Sequence, residues 1–190
     1  MKKGSKKGTA GSRETALRLW DLVNLYPRVS DEELEKRLSD FIINATEEEL
    51  FAMSRELFEF ATSLIKEDEK LRRLMASMQG RCLALIIDGS YHSVVTFQCD
   101  GFELELRRDD DLPALIAASR EVYRDAALKR KDPTRLILER KIRARKLPKM
   151  VRWTLPHLKV LRNRALYDRY LSRQEEIEAK IEETLTRLGY

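Results

Sequence analysis

GRCLALIIDGSYHSVVTFQCDGFELELR, residues 80–107, holds three β-like runs separated by two Asp-Gly pairs, Asp88-Gly89 and Asp100-Gly101. Asp-Gly between alternating apolar runs is a strong hairpin signal, because both central turn residues must reach φ > 0. With both pairs as two-residue loops, Ile87 falls opposite Ser90 and Cys82 opposite Val95. Cys99 then falls opposite Phe102, and Phe97 opposite Leu104. Side chains alternate between the faces of a strand. One face therefore collects Cys82, Ala84, Ile86, Tyr91, Ser93, Val95, Phe97, Cys99, Phe102, Leu104 and Leu106. The other collects Leu83, Leu85, Ile87, His92, Val94, Thr96, Gln98, Glu103, Glu105 and Arg107. The first face is almost wholly apolar and needs a helical layer. The second is apolar at its first strand only, which asks for a further cover there, protein or ligand.

Upstream of this block the pattern is helical. Ser12 is placed to cap a helix over 13–25 that Pro27 ends. Ser30-Asp31-Glu32-Glu33 and Thr46-Glu47-Glu48-Glu49 read as capping boxes. Leu34, Leu38, Phe41 and Ile42 share one helical face, and Leu50, Met53, Leu57, Phe60 and Leu64 follow a heptad-like spacing. Leu71, Leu74, Met75 and Met78 carry a helix toward the sheet, with or without a break near residues 66–69. Downstream, Asp109-Asp110-Asp111 with Pro113 predicts a capped helix. Asp132-Pro133 predicts a short helix over 134–140. Residues 141–146 alternate as a charged edge strand, with Ile142 and Ala144 inward and Lys141, Arg143 and Arg145 outward. From His157 a helix is expected to run nearly to Leu188, with a stripe of Tyr170, Gln174, Ile177, Ile181, Leu185 and Leu188. That seam wants a partner helix, in cis or in trans.

The net charge of +5 conceals segregation. Residues 129–173 carry 16 Lys and Arg against Asp132, Glu139 and Asp168, a net of +13, while residues 14–79 carry a net of −6. A local basic excess attracts an anionic partner, or pairs with the acidic helices of the same chain. Residues 1–12 read as a flexible basic tail. No apolar run approaches the ~20 residues that span a membrane, and the N-terminus lacks a signal-peptide core. Cys82 and Cys99 do not make a disulfide framework; they are expected as buried free thiols in a reducing, cytoplasmic compartment. His92 and His157 have no Cys or carboxylate at metal-ligand spacing. There is no Gly-rich phosphate loop and no Gly-x-Ser-x-Gly elbow. Neither a catalytic residue, a metal nor a cofactor is expected, and the chain does not read as an enzyme.

The fold class expected from these elements is α+β. An antiparallel meander sheet of about four to five strands is covered by helices, with a helical N-terminal extension and a long C-terminal helix. The order of elements resembles the sterol carrier protein 2 (SCP2-like) superfamily. The resemblance rests on Gly80-Arg81-Cys82-Leu83-Ala84-Leu85-Ile86-Ile87-Asp88-Gly89, Asp100-Gly101, Asp132-Pro133, Lys141-Ile142-Arg143-Ala144-Arg145, and Leu155, Leu158 and Leu161. It covers about half the chain and implies a domain over 67–162, after a helical region over 13–66 and before a C-terminal amphipathic helix over 163–190. It further implies an apolar tunnel between sheet and helices that holds a sterol, fatty acyl chain or similar lipid. Phe97, Phe102, Leu104, Leu115, Ile116, Leu136, Trp153 and Leu158 are the candidate walls, with ordinary core packing as the alternative for each. Lys141, Arg143, Arg145, Lys149 and Arg152 are the candidate contacts to an anionic membrane surface. Two rival readings remain open. The 129–173 stretch suits a nucleic-acid backbone, and the helical extensions suit a homodimer scaffold.

Overall fold

The structure, a computed structural model, describes residues 29–109, 111–112, 114–146, 148, 152–153 and 172–190. In the described residues the order is α1 (Glu32–Asn44), α2 (Glu47–Glu67), α3 (Glu69–Ala76), β1 (Cys82–Ile87), β2 (Tyr91–Gln98), β3 (Gly101–Leu106), β4 (Leu115–Ala118), α4 (Arg120–Ala127), α5 (Pro133–Leu138), β5 (Arg143–Arg145) and α6 (Gln174–Leu188). The expected helix over 13–25 and the expected start of the C-terminal helix lie outside the described residues.

The fold is α+β, and β1–β3 form the antiparallel meander. Its register differs from the two-residue-loop expectation. Asp88 and Gly89 do take left-handed backbone, φ 53° and 71°, and Ser90 N–H donates to the Ile87 carbonyl (3.2 Å). Ser90 is nevertheless an extra residue, so Ile87 pairs with Tyr91 and Cys82 with Thr96. A slip of one residue turns every β1 side chain over. The face shared with Tyr91, Ser93, Val95 and Phe97 therefore receives Leu83, Leu85 and Ile87 in place of Cys82, Ala84 and Ile86. The second turn is Cys99-Asp100, with Phe97 opposite Phe102. Gly101 belongs to β3, where its lack of a Cβ admits Thr62 of α2; a Cβ there would lie 2.4 Å from the Thr62 methyl. Thr62 Oγ1 accepts from Phe102 N–H (3.2 Å), which fastens β3 to α2. The cysteines are free thiols, but they share no face and are not buried. Cys99 is exposed in the turn and Cys82 is half-buried.

The sheet is wider than the meander and mixed. Its order is β3-β2-β1-β4-β5; β4 runs parallel to β1, and β5 antiparallel to β4. The helix expected after Asp109 is instead strand β4, and helix α4 starts later, capped by Ser119 accepting from Val122 N–H.

Helices cover one face. Leu85, Ile87 and Tyr91 pack with Leu34, Phe41 and Ile42 of α1, Leu50 and Met53 of α2, and Ile181 and Leu185 of α6. The C-terminal stripe thus finds its partner helices in cis. Farther along, Phe97 and Phe102 pack with Ile65, Leu71, Met75 and Met78. Between α2 and α3 the chain breaks at Asp68, whose carboxylate accepts from Lys70 and Leu71 N–H (2.8 and 3.2 Å).

One side chain joins these parts. Arg120, at the first position of α4, donates to the carbonyls of Ile42 (3.4 Å), Ile43 (3.1 Å) and Ala45 at the end of α1. Its Nε lies 3.4 Å from Asp88 in the β1–β2 turn. The turn from α4 to α5 is held by buried Asp125, whose carboxylate accepts from Lys131 and from Arg124 (2.9 Å). Lys131, with Arg124 and against the opposing effect of burial, holds the Asp125 carboxyl below its ordinary 3.8.

Replacement of Arg120 by Ala is expected to cost about 2–3 kcal/mol, because it unpairs several hydrogen bonds to a charged donor. Urea unfolding measures this; an unchanged midpoint refutes the assigned role. A carboxyl whose folded pKa is depressed stabilises above its unfolded pKa, and that contribution is lost as the pH falls through the lower folded value. Asp125→Asn is therefore expected to cost about 2 kcal/mol at neutral pH. Its stability should then fall less steeply than the native chain's on acidification below 3.8. Parallel acid-unfolding curves for the two proteins contradict this.

Candidate functional site

On the sheet face turned away from α1–α3 lies an open groove of about 1250 Å³. Strand pairing lays its floor in a row. His92 of β2 pairs with Ile86 of β1, Ile86 with Ala117 of β4, and Ala117 with Arg143 of β5. A second row brings Leu115 beside Arg145. Each row is apolar in the middle and ends on an arginine at the β5 edge. The far wall is Ile137, Arg140, Lys141 and Ile142, with Arg108 after β3.

The wall follows from local sequence. Asp132 precedes Pro133, and its main-chain carbonyl accepts from Leu136 N–H (3.0 Å), starting α5. The helix ends where Lys141 and Ile142 N–H both donate to the Leu136 carbonyl (2.9 and 3.1 Å). Arg140 supplies the left-handed residue of this exit, φ 59°. Ile142 is buried and the β5 arginines stand outward, in the inward–outward pattern expected for residues 141–146.

Part of the basic excess is paired within the chain. Arg130 pairs with Glu35 of α1 (3.0 Å), and Arg173 with Glu67 of α2 (2.7 Å). Lys141 (3.0 Å) and Arg135 (2.7 Å) share Glu139 and hold its carboxyl below the usual range. Among the described residues, the side chains of Arg140 and Arg143 have no ion pair or hydrogen bond. Asp88 is the acid of the lining, and it is tied to Arg120. His92 Nε2–H donates to the Gly89 carbonyl (2.9 Å), an assignment that follows from the acceptor. Among the described residues no cluster of three His, Cys, Asp or Glu side chains is placed to hold a metal. What the groove offers is an apolar floor with a cationic end, the recognition chemistry of an amphipathic anion.

The sequence-predicted residues divide between the two sheet faces. Leu115, Lys141, Arg143 and Arg145 line the groove together. Phe97, Phe102 and Trp153 meet on the opposite, helix-covered side, where the Arg81 guanidinium lies 5.4 Å from the Trp153 ring centre. Leu104 and Ile116 also face that side. Leu136 is buried at 1% exposure, and Arg152 is exposed. Leu158 and Lys149 lie outside the described residues. Ile86, Ala117 and Arg108 are not singled out as site residues from sequence, and Arg140 enters there only within the basic 129–173 stretch that suits a nucleic-acid backbone. For Ile86 the missing signal was the extra turn residue Ser90, which decides its face.

No family model and no curated protein matches the chain. Among solved structures, a UbiJ-SCP2 ubiquinone synthesis protein is similar at 14% identity with a TM-score of 0.42, over 55% of this chain and 91% of that one. A likeness at that level assigns no family.

Proposed function

We propose that the protein is a non-catalytic carrier of an amphipathic anionic lipid, held in the groove between the outer sheet face and the α5–β5 wall. The observation that carries this reading is the groove's polarity. Ile86, Leu115, Ala117, Ile137 and Ile142 offer an apolar bed, and Arg108, Arg140, Arg143 and Arg145 gather at its edges. Small-molecule sites are concave and mostly apolar, with a few placed polar groups, and run to roughly 300–1000 Å³. The volume of about 1250 Å³ leaves room for an acyl chain or sterol-sized body and a head group. The order of sequence elements that resembles SCP2-like domains supports the same ligand class. The β5 edge, with Lys141, Arg143 and Arg145, is in this reading also the side that meets an anionic membrane when cargo is exchanged.

Native mass spectrometry after incubation with a fluorescent fatty acid is expected to show a one-to-one complex. The double reversal Arg143→Glu with Arg145→Glu should weaken uptake about tenfold at low salt and less at high salt, as charge screening requires. Failure of the native protein to take up any amphiphile overturns the reading. Co-sedimentation should favour anionic over neutral vesicles, at ~1 kcal/mol per basic residue near the surface; equal binding to both removes the membrane-docking part.

A further inference from the structure

We infer that the head group carried in this groove is a phosphate, and that Arg140 is the residue that selects it; this rests on the carrier reading above. The first observation is the backbone. Arg140 sits at φ 59°, just past the end of α5, with Lys141 and Ile142 N–H returning to Leu136. A helix exit of this kind is normally filled by glycine, which adopts left-handed backbone freely, whereas a residue with a Cβ is strained there. The exit's main-chain hydrogen bonds are equally open to glycine and do not call for an arginine. The Arg140 side chain is exposed and has no ion pair or hydrogen bond among the described residues. What the arginine does do is line the groove. Lys129 and Lys146 take the same backbone, φ 55° and 53°, and of these three basic residues Arg140 is the one that lines the groove.

The second observation is charge. Arg143 is the other lining cation without a partner among the described residues, and it ends the row that runs from His92 through Ile86 and Ala117. Lys141 is already paired with Glu139. Two unpaired guanidiniums, three residues apart in the lining of one groove, exceed what a single carboxylate neutralises. A phosphate monoester carries about −1.5 to −2 at neutral pH and three strong acceptors, and the guanidinium fork matches its oxygens bidentately.

The test compares n-dodecyl phosphate, laurate and inorganic phosphate on the full chain at fixed ionic strength and neutral pH, with Arg140→Gly and Arg140→Ala. The native protein is expected to bind dodecyl phosphate about tenfold tighter than laurate, one charge-assisted contact's worth, and inorganic phosphate far more weakly than either. Arg140→Gly should abolish the preference and raise the melting temperature by about 2–4 °C as the strain is released. Arg140→Ala should abolish the preference without that gain. Equal affinity of the native protein for the two amphiphiles overturns the inference and leaves the carrier reading standing. So does a preference that survives Arg140→Gly, or a Gly variant that melts lower, which would make Arg140 structural. Inorganic phosphate bound as tightly as dodecyl phosphate overturns the lipid head group. Absence of binding by both amphiphiles overturns the carrier reading along with it.

Discussion

The arrangement depends on where Arg120 sits. Helix α1 opens with Glu32, Glu33 and Glu35 and has no basic residue in its last turn, so its own sequence leaves the negative end of its dipole uncompensated. Arg120 brings the missing cation from another element and grips three carbonyls at that end. Its main-chain N–H also donates to Asp88 (3.1 Å), and its guanidinium approaches the same carboxylate. Helix α1, the first hairpin turn and the start of α4 are therefore fixed to one point. Ala118 lies two residues before Arg120, and its carbonyl accepts from Asp88 N–H (3.0 Å). The clamp thus also holds β4 in parallel beside β1. Only with β4 there does β5 have a strand to pair with, and only with β5 does the groove have a basic edge.

The faces of β2 and β3 were legible in the sequence and those of β1 were not, for a single geometric reason. The second turn differs from expectation by two residues of register, which preserves parity. Val95, Phe97, Phe102 and Leu104 therefore stay on one face. The first turn differs by one residue, which reverses parity for the whole of β1. Asp-Gly reported the turn's backbone correctly in the first hairpin and said nothing of Ser90. In the second, Gly101 was conspicuous for its contact with Thr62, a property of tertiary packing that has no local signature.

Strand β4 was hidden for a different reason. Leu115-Ile116-Ala117-Ala118 is too short to show a period, and its two alanines favour helix. It is a strand because β1 and β5 pair with both of its edges, a long-range effect that overrides local preference. The charged edge strand β5, by contrast, declares itself, since Arg-Ala-Arg alternation survives without context. Half of the candidate site was legible through that alternation. The other half, Ile86, Ala117 and Arg140, is assembled by register and by a helix exit.

The groove inherits its polarity from the order of the strands. On this face β3 presents Glu103 and Glu105, β1 and β4 present small or aliphatic side chains, and β5 presents Arg143 and Arg145. Charge therefore changes sign across the sheet, with an apolar interval between. The same segregation explains why the paired arginines lie elsewhere. Arg130 and Arg173 meet the acidic faces of α1 and α2. Those acids pair with cations on the helical side of the molecule, whereas among the described residues the groove lining keeps Arg140 and Arg143 without an ion pair.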